Sequence, residues 1–150
     1  MGNSLTFKPF GISYVGMATA VLEQAPAINV NSAKAGQVAL KGFFRIAKQW
    51  GLKPAEQRVL LGDLPQTTYC RYQKLPEVQL SRDLLERLSY VLGIYKALHI
   101  LFQDPAHADG WIRRANEAYP FNASSALEYM LQGSLTRLAE VRLYLDTQRG

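Results

Sequence analysis

The stretch Ser81–Phe102, SRDLLERLSYVLGIYKALHILF, decides the fold. Leu84, Leu88, Val91, Tyr95, Leu98 and Phe102 recur at alternating spacings of four and three, the apolar stripe of an amphipathic helix. Ser81 is placed to cap its start, Asp83 and Glu86 sit where the helix dipole favours negative charge, and no proline interrupts it. At helical rise the rod is roughly 33 Å long, enough to serve a different neighbour at each end. The charge divides there too. Residues 1–80 carry nine Lys/Arg and four Asp/Glu and residues 81–150 carry eight of each, so the whole net charge of +5 precedes the helix. The stripe is expected to pack an N-terminal lobe through Leu84, Leu88 and Val91, and a C-terminal one through Tyr95, Leu98 and Phe102.

Upstream, residues 1–31 hold no sustained period and read as an arm, punctuated by Pro9, Gly11, Gly16, Pro26, Asn29 and Asn31, with a short helix between Met17 and Glu23. From Ser32, a candidate cap, Val38, Leu40, Phe43, Phe44, Ala47 and Trp50 recur at helical spacing, and Gly51 ends the run. Pro54 opens a second, short helix with Ala55, Val59 and Leu60 inward, and Gly62 stops it. Gln66 to Gln73 makes a third, and Lys74 to Leu80 is a loop. Downstream of Phe102 come a turn, a brief helix before Gly110, and an irregular or helical stretch from Trp111 to Ala118. A helix from Ala123 to Gln132 follows, capped by Asn122, Ser124 or Ser125. Ser134 caps a last helix with Leu135, Leu138, Val141, Tyr144 and Leu145 inward. No strand pattern emerges, so the chain is expected to be all-α.

With 150 residues, 48% hydrophobic and 19% charged, the chain has the composition of a globular protein able to bury a sizeable core. A single cysteine, Cys70, excludes an internal disulfide framework and fits a reducing cytoplasm. No apolar run is long enough for a membrane span. The apolar run Phe10 to Leu22, followed by Ala25-Pro26-Ala27, departs from a signal peptide in having only Lys8 before it, glycines and a tyrosine within it, and Glu23 after it. The N-terminal Met1-Gly2-Asn3-Ser4-Leu5-Thr6 fits the myristoylation pattern, which is short enough to arise by chance.

Residues 53–74, KPAEQRVLLGDLPQTTYCRYQK, carry the most specific chemistry. Two short helices about a glycine turn have the form of a helix-turn-helix. On the second, Gln66, Thr67, Thr68, Arg71 and Tyr72 are expected to point outward; Arg pairs with guanine, Gln with adenine, and a Thr methyl meets that of thymine. Lys53, Arg58 and Lys74 lie where phosphate contacts would fix the register. The basic first half supports the same partner. Only Arg71 and Lys74 charge the recognition helix, so a homodimer on paired half-sites is expected. The bland alternative, two helices of an α-bundle with a solvated polar face, is open on spacing alone.

Catalytic patterns are absent. His99 and His107 are the only histidines; His99 reads as a packed residue near the end of the long helix and His107 as part of a polar loop. No catalytic residues, metal ligands or cofactor are assigned: there is no phosphate-binding glycine loop and no metal-ligand spacing. Cys70 reads as a buried small side chain. The chain is not expected to be an enzyme.

Glu56, Leu60-Leu61-Gly62, Thr68, Arg71-Tyr72, Leu80-Ser81-Arg82-Asp83, Arg87-Leu88 and Ile94-Tyr95-Lys96-Ala97-Leu98 resemble the first half of the Xre/MbcA/ParS-like antitoxins. Phe102, Trp111-Ile112, Asn116, Leu127, Met130, Gly133 and Val141 to Leu145 resemble that family's toxin-binding domain. The resemblance covers residues 33–150. The N-terminal arm (1–31) lies outside it, and the rest divides into a helix-turn-helix domain (32–80), a shared long helix (81–103) and a toxin-binding domain (104–150). The resemblance implies the antitoxin of a type II toxin-antitoxin module, whose partners are a RES-domain toxin that degrades NAD⁺ and the promoter DNA of its own operon. Carried over by position, the toxin-facing residues are Trp111, Asn116, Tyr144, Asp146, Arg149 and Gly150. The last turn, with Tyr144, Asp146, Gln148 and Arg149, is expected to be exposed, whereas the size of the Trp111 side chain favours a core anchor over a contact. This chain departs from the family in having Asn122 and Ala126 where a glycine and a proline are usual; Asn tolerates left-handed backbone, so the turn is expected to survive. The alternatives are a stand-alone regulator with a C-terminal dimerisation or sensing domain, and an adaptor that no longer touches DNA.

Overall fold

The computed structural model describes residues 32–150; the arm at 1–31, with its expected short helix, lies outside the described residues. Seven α-helices follow in order: α1 Ala33–Gln49, α2 Pro54–Leu60, α3 Gln66–Gln73, α4 Arg82–Leu101, α5 Pro105–Gly110, α6 Ala126–Met130 and α7 Leu135–Arg149. A single 3₁₀ turn, Trp111–Arg113, follows α5. The described residues form no strand, only an isolated antiparallel bridge between Ala115 and Ser125. The protein is all-α.

Local chemistry sets most boundaries. Ser32, Ser81, Ser125 and Ser134 each accept from the amide three residues on, satisfying a donor that the first helical turn leaves without a partner. Pro54 and Pro105 occupy the first helical position of α2 and α5, where a missing N–H costs nothing. Gly51, Gly62 and Gly133 take positive φ where α1, α2 and the α6 turn end. Helix α6 is shorter than expected for a reason visible just before it: Asn122 and Ala123 lie at φ 50° and 79°, so helical backbone cannot begin there. Ser125 and Glu128 then close a reciprocal capping box that starts it. The turn at Asn122 survives, as expected of an asparagine.

The buried apolar side chains form one contiguous core from Ala39 to Leu145. Helix α4 is its axis, packed against α7 and α1 on different faces. Its stripe is therefore wider than a single row: Leu85, Ile94 and Ala97 are buried in addition to Leu84, Leu88 and Leu98. The expected division of the stripe into two halves is corrected by two contacts. Arg87, in the first half of α4, donates to the Gly133 carbonyl at 3.1 Å, tying it to the start of α7. Tyr95, in the second half, bonds to Gln49 and packs on Trp50 at the end of α1. Both neighbours thus run along much of the axis. Val38 and Ala55 are exposed rather than inward; Ile46 and the polar Gln57 fill the corresponding inner positions.

Candidate functional site

Helices α2 and α3 meet across a turn closed by Arg58. Its carbonyl accepts from Asp63 N at 2.8 Å, and its Nε donates to the Leu64 carbonyl at 2.8 Å. Beneath the turn, Tyr69 donates to Gln57 Oε1 at 2.7 Å, while Gln57 Nε2 donates to the Leu52 carbonyl at 2.9 Å. Gln57 is buried only because both ends of its carboxamide find partners. Burial also pushes the Tyr69 hydroxyl above the usual phenol range, keeping it a donor. Tyr69 and Tyr72, three apart, are the inner side of α3. Gln66, Thr67, Cys70, Arg71, Gln73 and Lys74 are therefore its exposed side, with Thr68 half-buried at the edge.

Two expectations for α3 are corrected. Tyr72 is 8% exposed and cannot point outward; it packs into the core, and the Arg71 guanidinium lies 5.0 Å from its ring centroid, so it supports that exposed side chain from below. Cys70 is exposed, not buried, because the tyrosines claim the inward positions. Lys53 and Lys74 are exposed, and Arg58 is half-buried and engaged with the turn. Such a face, with amide, hydroxyl and guanidinium groups beside flanking lysines, can meet phosphates and the edges of bases.

In the C-terminal half of the chain, aromatic rings gather around the 3₁₀ turn. Trp111 stacks on Tyr144 (centroids 6.1 Å, 22° between planes) and meets Phe121 edge-on at 6.0 Å. Leu101, Phe102, Trp111, Tyr144, Leu145 and Gln148 line an open cleft of about 190 Å³. Asn116 holds the adjoining loop: its side chain accepts from Ala118 N at 2.9 Å, and its backbone pairs with Ser124 and Ala123. The final turn of α7 is less free than expected. Tyr144 is half-buried in the ring cluster, and Arg149 is half-buried, while Gln148 and Gly150 are exposed. Asp146 lies 2.6 Å from the guanidinium of Arg142, itself 1% exposed; burial pushes the Asp146 carboxyl upward against the pull of that cation. Tyr144 and Asp146 are thus positioned by packing and pairing, while Gln148 is exposed as expected.

Residues 31–93 match the antitoxin Xre-like helix-turn-helix domain, and residues 97–150 match the antitoxin Xre/MbcA/ParS C-terminal toxin-binding domain. The chain is also 46% identical over 111 residues to the uncharacterized protein y4oB of Sinorhizobium fredii, covering 74% of this chain and 84% of that protein. The chain belongs to the Xre-type antitoxins. The boundary between its two matched domains falls inside α4, between residues 93 and 97, where the core is continuous.

In this antitoxin the helix-turn-helix contains every residue expected to face DNA, of which Tyr72 is removed by burial. The toxin-binding domain contains Trp111, Asn116, Tyr144, Asp146, Arg149 and Gly150; Trp111 and Tyr144 share one cleft, whereas Asn116 belongs to the loop beside it. The sequence reading missed Gln73 and Cys70 on the exposed side of α3, a helix of two turns whose inner side periodicity cannot fix. It also missed Arg113, which joins the domains by donating to the Trp50 and Gly51 carbonyls at 3.2 and 2.9 Å and lying 3.6 Å from Glu56. His99 is packed, as expected, its Nε2 2.8 Å from Asp109 and its ring 4.3 Å from Tyr95. His107 lies on α5, stacked against Phe102, rather than in a loop. Among the described residues no helix is long and apolar enough to cross a membrane, and no three metal-ligating side chains cluster.

Proposed function

We propose that this antitoxin neutralises a RES-domain, NAD⁺-degrading toxin by direct contact over the toxin's active-site entrance, and represses its own operon through the helix-turn-helix. The toxin would be met by the Trp111–Tyr144 cleft and by Asp146, Arg149 and Gly150 at the end of α7, with Asn116 shaping the adjoining loop. Promoter DNA would be met by Gln66, Thr67, Thr68 and Arg71, with Lys53 and Lys74 on phosphates. Residues 32–80 form the DNA-binding unit, 81–103 the shared axis and 104–150 the toxin-binding unit, and the protein acts in the cytoplasm as a binding protein rather than an enzyme. A homodimer supplies two recognition helices, because one Arg and one Lys on that helix give a single copy little affinity. The observation that carries this reading is the pairing, on one contiguous core, of a helix-turn-helix match with a toxin-binding match. Tagged antitoxin co-expressed with the product of the adjacent gene tests it. Recovery of a stable complex that retains the operon's promoter fragment is expected, and a chain that purifies without that product refutes it.

A further inference from the structure

Gln66, the first residue of α3, has both ends of its carboxamide held from within the molecule. Arg58 Nη1 donates to Gln66 Oε1 at 3.2 Å, and Gln66 Nε2 donates to Cys70 Sγ at 3.4 Å, one helical turn on. Arg58 is itself fixed across the turn by its 2.8 Å bond to the Leu64 carbonyl. A guanidinium can only donate, so the carboxamide atom facing it must be the oxygen. A carboxamide offers two lone pairs and two N–H groups; here the protein takes one of each. The remainder, one acceptor beside one donor on an exposed side chain, is the complement of the N6 amino group and N7 of adenine in the major groove.

We propose that Gln66 reads an adenine, and that Arg58 is a positioning residue that sets the orientation of the amide before DNA arrives, with Cys70 steadying its other end. This rests on the DNA reading proposed above. It reassigns Arg58, whose position suggested a phosphate contact: two of its donors are spent on the turn and on Gln66. A side chain already ordered by its neighbours loses less rotamer freedom on binding, which sharpens the preference for the matching base.

The full-length chain tests this by selection from a library of random duplexes, followed by titration of the selected site against the same site altered at each base pair. Wild type is expected to prefer adenine at one position by about 10- to 100-fold. Gln66→Glu keeps an acceptor for Arg58 but has no N–H, so its preference should move to cytosine, whose N4 amino group donates. Arg58→Lys keeps the positive charge but lacks the fork that spans Leu64 and Gln66, and should lose most of the adenine preference while the other positions are unchanged. If Arg58→Lys lowers the unfolding midpoint, Cys70→Ala, on the exposed side of α3, provides the second arm and should weaken the same preference. Unchanged base preferences in Gln66→Glu overturn the proposal, as does an Arg58→Lys protein that binds all sequences equally less well, the signature of a phosphate contact. A wild-type chain that selects no sequence overturns the DNA reading itself.

Discussion

Gly36 lies in the second turn of α1, facing the loop that leaves the recognition helix. Helix propensity alone says that Gly36→Ala should stabilise the protein by about 0.5–1 kcal/mol. The structure says the opposite. A Cβ at this position would sit 2.0 Å from the Val78 carbonyl oxygen and 3.1 Å from Leu80 Cγ. The first is a backbone atom that cannot rotate away, in a loop clamped on its other side by the 2.8 Å bond from Gln37 Nε2 to the Leu75 carbonyl. Overpacking typically costs about 1–3 kcal/mol and the propensity gain offsets less than half of the upper figure, so a net loss of about 1–2 kcal/mol is expected. That corresponds to a fall of roughly 3–8 °C in the midpoint of thermal unfolding. Circular dichroism melts of wild type, Gly36→Ala and Gly42→Ala measure it. Gly42 is the control, since its added Cβ would meet only Leu92 Cδ2, a movable side-chain end, at 3.0 Å. An unfolding midpoint for Gly36→Ala equal to or above that of wild type would refute the close approach of loop and helix.

Three further substitutions have outcomes that the structure sets. Arg113→Ala removes the hydrogen bonds to the Trp50 and Gly51 carbonyls and should destabilise the fold by about 1–2 kcal/mol in urea titration, discounted because the side chain is 44% exposed. Tyr69→Phe strands the buried Gln57 oxygen and should cost about 1–3 kcal/mol at neutral pH. The Tyr69 hydroxyl is raised in the fold, so above about pH 10 the unfolded chain releases its proton first and stability falls; melts of Tyr69→Phe in that window should lack this component. Arg71→Ala should weaken promoter binding by about 1–3 kcal/mol and relax preference at one base, measured by fluorescence anisotropy on matched and altered sites.

The elements of this fold were legible because their signals are local. Serine caps, prolines at first helical positions and glycines at helix ends lie within a few residues of what they control, so α1 to α4 and α7 follow directly from the chain. What escaped depends on contacts between distant residues. Gln57 reads as a surface residue until Tyr69, twelve positions on, supplies its hydrogen bond. Arg142 sits among Leu138, Val141 and Leu145, yet a lone cation would be assigned to solvent without Asp146 beside it. Helix α3 has only two turns, so its inner side could not be fixed by periodicity, and Tyr72 and Cys70 were exchanged in consequence. The C-terminal site was the least legible: its residues come from the ends of α4 and α7 and from the 3₁₀ turn, which only the packed structure brings together.

Toxin neutralisation is the claim on which the rest depends, and growth with intracellular NAD⁺ measures it most directly. The adjacent gene's product is induced alone, with the wild-type antitoxin, and with an antitoxin truncated after Phe102. Growth arrest and NAD⁺ depletion are expected in the first and third cultures, and preserved growth and NAD⁺ in the second. A harmless neighbour, or an arrest that the wild-type antitoxin does not relieve, would contradict the claim.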